Sequence, residues 1–276
     1  MLIVTALGGN ALLERGQAMT AVNHHTNIRR AVRALAALID EGHRLVITHG
    51  NGPQVGMLAL QAAAAQQQTV FPLDVLDAES AGMIEQELRN ALKGRSVATL
   101  LSQVKVDGLD PAFDHPTKFV GPTYGREMAE KLAAAHGWRF ARDGNDWRRV
   151  VASPEPKEIL GIGVIRLLLR HDVTVICAGG GGIPVVDDND GGIHGQEAVI
   201  DKDLVSALLA CNLDADMLLM LTDVDAVYSD FGSAAAKPIP ELSARNIEID
   251  AYPAGSMGPK IAAGAKFALA THRPAA

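Results

Sequence analysis

Apolar runs of strand length alternate along the chain with segments whose apolar residues recur at helical spacing. That pattern predicts an α/β fold: an open, mainly parallel sheet sandwiched by helices. Leu2 to Leu7 reads as a buried strand ending at Gly8-Gly9-Asn10. Ile28 to Ile39 carries a helical stripe that Gly42 stops, and Arg44 to Thr48 is a second strand running into His49-Gly50-Asn51-Gly52-Pro53. Helical patterns follow at 54–66 and 79–92, then a third strand from Ser96 to Leu101. From 105 to 152 the pattern breaks into Pro, Gly, Asp, aromatic and basic residues, with one helical piece at 126–136. Lacking a core stripe, this stretch reads as a small protruding subdomain inserted in a single domain spanning 1–276, the alternative being a long irregular loop of that domain. Regular elements then resume: a helix at 156–170, a strand from Val173 to Ala178, and the four glycines at 179–182. A hairpin at 184–199, a helix at 201–212 and a strand from Asp216 to Leu221 come next. Gly255-Ser256-Met257-Gly258-Pro259-Lys260 opens a last helix.

With 48% hydrophobic and 21% charged residues in 276, the chain can bury a sizeable core. The net charge of −7 argues against a nucleic-acid partner, because backbone binding needs clustered Lys and Arg. It leaves a small-molecule anion site open, since one pocket can be basic on an acidic protein. Cys177 and Cys211 lie in apolar surroundings without a CxxC spacing, so buried thiols are expected rather than a disulfide. No apolar stretch is long enough to span a bilayer, and the first strand is entered without a leader-like pattern. The expectation is a soluble, cytoplasmic protein.

Several strands end in loops of Gly, Asn or Asp, at 8–10, 50–52 and 179–182, and a fourth Gly loop at 255–260 carries a lysine. In an open α/β sheet ligands sit at the carboxyl ends of the strands. Glycine there lets backbone N–H groups approach an anion, helped by the dipole of a following helix. One such loop is explained by a tight turn; the set of them points to phosphate or carboxylate binding. There is no GxxxxGK[ST], and no protein-kinase set of loops. Gly50, Gly52 and Gly56 imitate a dinucleotide fingerprint, but no acidic residue stands about 20 positions on at a strand end. Lys202, between Asp201 and Asp203, and Lys260 each sit at a predicted helix start. A lone lysine is usually a solvated surface residue. Beside glycine loops, ammonium groups instead suit a reaction in which charge spreads over a transferring phosphoryl group. Asp203 could orient the two lysines or a hydrated Mg²⁺, or simply be a first-turn helix charge.

These residues resemble a known family. Ala6-Leu-Gly-Gly-Asn-Ala-Leu12, Thr48-His-Gly-Asn-Gly-Pro-Gln-Val-Gly56 and Ala178-Gly-Gly-Gly-Gly-Ile-Pro-Val185 resemble motifs of the carbamate kinases, a branch of the amino acid kinase family. So do Ala198-Val-Ile-Asp-Lys-Asp-Leu204, Leu221-Thr-Asp-Val-Asp-Ala-Val-Tyr228 and Gly255-Ser-Met-Gly-Pro-Lys260, in the family's order over nearly the whole chain. Pro116-Thr-Lys-Phe-Val-Gly-Pro122 is similar to the Lys-bearing motif of the subdomain peculiar to that branch. The resemblance implies ATP plus carbamate giving ADP plus carbamoyl phosphate, reversibly, with Mg²⁺ held mainly by the nucleotide phosphates rather than by direct protein ligands. It implies use in making ATP during arginine or purine-derivative breakdown. Gly8, Gly9, Asn10, Gly50 and Asn51 would hold the acid and the phosphoryl group, with Gly180 and Gly181 in the floor near carbamate. Lys202 and Lys260 would neutralise the transition state, Asp203 would orient them, and Lys118 would reach in from the protruding lobe. Asp223, Tyr228, Met257 and Gly258 would lie on the nucleotide side with Lys260. A homodimer is implied, with the helix near Glu79 to Leu92 as its interface. The other readings are a kinase for another small acid on the same fold, and a non-catalytic nucleotide-binding sensor.

Some positions depart from the family pattern. Phe119 stands where proline is usual, Glu85-Gln86 replace the residues usual after Gly-Met-Ile, and the stretch from Tyr228 to Gly255 is short. Family members continue with further helix and strand past the equivalent of Ala276, so either further C-terminal residues belong to the protein or the sheet lacks an edge element.

Overall fold

The computed structural model describes residues 1–14, 16–64, 71–188, 190–222, 224–233, 235–252 and 257–276. In chain order the first half comprises β1 (Leu2–Leu7), α1 (Gly9–Leu12), α2 (Ala21–Asp40), β2 (Arg44–His49), α3 (Gly52–Ala64), α4 (Leu73–Ala91), β3 (Val97–Leu100) and β4 (Gln103–Val106). Next come β5 (Lys118–Tyr124), α5 (Arg126–His136), β6 (Arg139–Asp143), β7 (Asp146–Val151), β8 (Pro156–Ile159), α6 (Ile162–Arg170) and β9 (Thr174–Cys177). The last part holds β10 (Ile183–Asp187), β11 (Ile193–Gly195), α7 (Lys202–Asn212), β12 (Met217–Leu221), β13 (Val227–Ser229), β14 (Lys237–Ile239) and α8 (Met257–Thr271).

The central sheet is parallel throughout, in the order β12-β1-β2-β9-β3. Its inner strands β1, β2 and β9 are buried on both faces, which is why they read as nearly continuous apolar runs. Alternation still sorts them. Leu2, Val4, Val46, Val175 and Leu218 pack with Val205, Leu209 and Phe267 of α7 and α8 on one face. Ile3, Leu7, Leu45, Ile47 and Ile176 meet Ile28, Val32 and Leu35 of α2 and Ile84 and Leu88 of α4 on the other. A second sheet, β11-β10-β4-β8, contains the expected hairpin, with Val185 opposite Gly195. The segment after α8 turns back onto β12 in parallel: Ala276 N–H donates to the Leu218 carbonyl at 2.9 Å. The expected bare edge at β12 is therefore met by residues 274–276. Among the described residues no helix is long and apolar enough to cross a membrane.

The helix expected over 156–170 is in fact a strand followed by a shorter helix. Pro156–Ile159 pair antiparallel with β4, and that ladder overrides the helical pattern of the segment. Gly161, at φ +78°, then caps α6. Of the cysteines, Cys177 is buried in β9 and Cys211 is half-buried in α7; both are free thiols.

Within 105–152, strands β5, β7 and β6 form an antiparallel sheet of their own, backed by α5. Residues 105–106 belong instead to β4 of the second sheet. The small sheet is seated on α3 through Val55, Ala59, Val120 and Val151. Gly56 and Gly121 set the approach: a Cβ on Gly56 would fall 1.9 Å from the Gly121 Cα. Phe119 fits this strand, opposite Val150, with the Arg148 guanidinium 6.0 Å from its ring centroid.

Candidate functional site

Because the central strands are parallel, β1, β2, β9 and β12 deliver their following loops to one edge of the sheet. The N–H groups of Gly8 and Gly50 continue the sheet ladder, donating to the carbonyls of Leu221 (3.0 Å) and Leu7 (3.1 Å). The first-turn N–H groups of α1 and α3 have no partner within their helices, and Gly9, Asn51 and Gly52 line a cleft of about 250 Å³. Helices α7 and α8 also start at it, so several helix N-termini converge on one space.

Among the described residues, four cations line the cleft, Lys118, Arg148, Lys202 and Lys260. The carboxylates among them are Asp201 and Asp203, so the described lining carries an excess of positive charge on a chain of net charge −7. Asp203 is shared. Its Oδ1 accepts from Lys202 Nζ at 2.5 Å and its Oδ2 from Lys260 Nζ at 3.1 Å. Burial pushes the Lys202 ammonium below the usual lysine range, with Lys260 adding to this and Asp203 opposing it. Asp201 caps α7, accepting from the N–H groups of Asp203 (2.9 Å) and Leu204 (3.4 Å), and also accepts from Lys118 Nζ. Burial works to raise its carboxyl, but Lys118, Lys202 and the Asp203 N–H prevail and hold it at about 2.

Thr222 and Lys260 also line a second, larger cavity of about 490 Å³, so the two spaces adjoin. Its walls are mainly apolar, among them Met220, Val224, Val227 and Ile261, with Asp225 and Glu241 at hand. Met257 lines it too. Tyr228 does not: its hydroxyl donates to Asp225 Oδ1 at 3.1 Å. Gly258 is buried in the first turn of α8. Asp223 and the side chain of Asn10 lie outside the described residues.

Behind the cleft is a buried polar group. Asn51 Nδ2 donates to Asp77 Oδ1 at 2.6 Å and to Ser80 Oγ at 2.7 Å, and Ser80 Oγ donates to the Asp77 carbonyl at 3.0 Å. Gly180, at φ +71°, lies against this pair; a Cβ there would come within 2.3 Å of Asp77 Oδ1. Gly181 sits below the lining, with space for a Cβ closed by the Ile200 carbonyl at 2.4 Å. Glu85 is not on an outer face of α4: it is buried, its Oε1 3.8 Å from His49 Nε2.

Asp77 gives a pH-dependent stability. Burial raises its carboxyl to about 7, against the Asn51 hydrogen bond and with Asp74 and Glu85 adding to the rise. A carboxyl raised on folding favours the folded chain while protonated, so that contribution is full below about pH 4 and is lost as pH rises to about 7. In Asp77→Asn, denaturant unfolding at pH 5 and pH 8 is expected to show a stability loss between the two smaller by on the order of 2 kcal/mol than in the parent. Identical losses would place the titration elsewhere.

The cleft thus gathers Gly8, Gly9, Gly50, Asn51, Lys118, Gly180, Lys202, Asp203 and Lys260 from the sequence-derived set. Asp201, Arg148, Asp77 and Ser80 were not in that set. An aspartate just ahead of a helix is an N-cap signal, and Arg148-Arg149 inside an apolar strand was a second cue. Asp77 and Ser80 gave none.

Comparison with known proteins places relatives beside this geometry. The model of the amino acid kinase family matches residues 1–275. A protein named carbamate kinase from Rhizobium meliloti (strain 1021) is 50% identical over all of this chain and 87% of its own. Another of that name from Haemophilus influenzae is 52% identical, covering 100% of this chain and 90% of its own. The solved structure of carbamate kinase from Giardia lamblia bound to AMP-PNP is 37% identical with a TM-score of 0.88, covering 99% of this chain and 91% of that one.

Proposed function

The chain belongs to the amino acid kinase family, and from that premise we propose that it is a carbamate kinase, moving a phosphoryl group reversibly between ATP and carbamate. The observation that carries this reading is Asp203 holding two lysines at the junction of the two cavities. The apolar cavity suits adenine, and the cationic cleft suits the phosphates and the small acid. In the forward direction a carbamate oxygen attacks the γ-phosphorus, the bond from phosphorus to the β-phosphate bridging oxygen breaks, and ADP leaves with that electron pair. No covalent enzyme intermediate is needed. Lys202 and Lys260 meet the charge that develops on the phosphoryl oxygens, and Asp203 fixes where they point. The backbone N–H groups starting α1 and α3 grip the acid. Mg²⁺ entering with the nucleotide supplies further neutralisation of its phosphates. The cleft's carboxylates fit that arrangement, because lysines already occupy both Asp201 and Asp203.

Lys118 stands at the head of β5, and residues 105–152 are proposed to act as a lobe bringing its charge to the acyl phosphate. A homodimer through the exposed face of α4, at Glu79, Met83, Gln86 and Asn90, and a cytoplasmic location complete the reading.

Formation of ATP from carbamoyl phosphate and ADP, followed by a coupled assay, is the test. Lys118→Ala is expected to retain the fold and lose about a hundredfold in turnover. Its effect is smaller than that of a buried lysine because its ammonium is partly solvated and shared with Asp201. A protein that binds ADP yet makes no ATP from carbamoyl phosphate would sink the assignment; full activity in Lys118→Ala would remove only the lobe's role.

A further inference from the structure

Resting on the carbamate kinase reading, we propose that Asp77 and Ser80 fix the Asn51 amide so that only its carbonyl oxygen meets the acceptor, making the site select an acid with a hydrogen-bond donor beside its carboxylate. In carbamate that donor is the N–H; acetate, of similar shape, has a methyl group there.

The assignment follows from proton bookkeeping in the network. Ser80 spends its one hydroxyl proton on the Asp77 carbonyl, 3.0 Å away, so toward Asn51 its oxygen can only accept. Asp77 Oδ1 accepts as well, at 2.6 Å. When Asp77 carries a proton, Oδ2, which has no partner among the described residues, can hold it and leave Oδ1 an acceptor. Both neighbours therefore require the nitrogen side of the amide, and both Nδ2 protons are consumed. A reversed amide would set its oxygen against two acceptors. What remains for the cleft that Asn51 lines is Oδ1, an acceptor alone. Gly180 makes room for the pair by having no side chain: a Cβ there would lie 2.4 Å from Asn51 Nδ2 and 2.6 Å from its Oδ1. A buried acceptor that meets a methyl group is left unsatisfied, which is the stronger form of rejection available to a small site.

Asp77 and Ser80 are thus positioning residues. The test compares kcat/KM for ATP formation from carbamoyl phosphate with that from acetyl phosphate, each with ADP. The parent protein should favour carbamoyl phosphate. In Asp77→Ala that preference should shrink by roughly tenfold or more, mostly through carbamoyl phosphate. Ser80→Ala, a milder change, should shrink it several-fold in a protein that still folds, with a melting temperature lower by several degrees. Asp77→Asn retains an acceptor oxygen and should restore the preference to within about threefold. If folded Ser80→Ala or Asp77→Ala loses equally on both acyl phosphates, or keeps the parent's ratio, the inference is overturned while the assigned reaction stands. If the parent binds ADP but forms no ATP from carbamoyl phosphate, both fall together.

Discussion

Lys202→Met is expected to lower turnover in ATP formation by roughly a thousandfold or more while leaving KM for ADP within about threefold of the parent. Methionine has nearly the shape of the lysine stem, so the substitution removes charge without opening a large cavity. Lys202 is buried at the start of α7, against the Asp203 carboxylate. A charge held there acts across little water, where it is worth far more to a developing phosphoryl charge than an exposed lysine would be. The cavity proposed for the nucleotide base does not include Lys202 in its lining. Loss confined to kcat would mark an interaction made in the transition state. Equal losses in kcat and in ADP affinity would make Lys202 a simple nucleotide anchor and contradict the role given to it. Asp203 retains Lys260 as a partner in this variant, so the carboxylate is not stranded without a cation.

Gly56→Ala is expected to lower the melting temperature by about 10 °C, on the basis of roughly 3–5 kcal/mol at 2–4 °C per kcal/mol for a chain of this size. The added methyl would sit 1.9 Å from Gly121 Cα and 2.2 Å from Gly121 N, atoms of backbone that no rotamer change can clear. Strand β5 would have to withdraw from α3, opening the contact among Val55, Ala59 and Val120. Lys118 lies at the head of the same strand, so activity should fall further than stability alone requires. Gly163→Ala is the control: that glycine is exposed in α6 with nothing within 4 Å of where the new methyl would sit, and the change should be neutral or slightly stabilising. Scanning calorimetry with far-UV circular dichroism reads both. An unshifted Gly56→Ala would mean that the two backbones do not meet as described.

The sheet was readable in the sequence because parallel strands covered on both faces leave unbroken apolar runs such as Leu2 to Leu7 and Arg44 to Thr48. Errors fell where pairing overrode local pattern. Pro156 to Ile159 joined β4 as a strand, and α4 began at Leu73, six residues before the predicted start at 79. The glycine loops and the lysines Lys202 and Lys260 were legible, since Gly loops at strand ends beside Lys at helix starts have few other uses in such density. Asp77 was not. It is one polar residue on a long helix, 26 positions from Asn51, and only folding brings their side chains together. Arg148 and Asp201 had local cues, but neither their shared cleft nor the Lys118 contact is written in spacing. Polar partners far apart in sequence leave no periodic trace, whereas apolar faces do.

The two sulfurs bear on how the protein withstands oxidants. Burial raises the Cys177 thiol well above its ordinary value, with Glu85 adding to the effect, and burial raises that of Cys211 as well. The thiolate is the form that attacks electrophiles and peroxides, so each rise makes it scarcer. Neither cysteine lines the cationic cleft, whose working groups are ammonium, carboxylate, amide and backbone N–H. In the proposed reading, compounds that cap cysteine find no thiol among the described residues lining the reaction cleft.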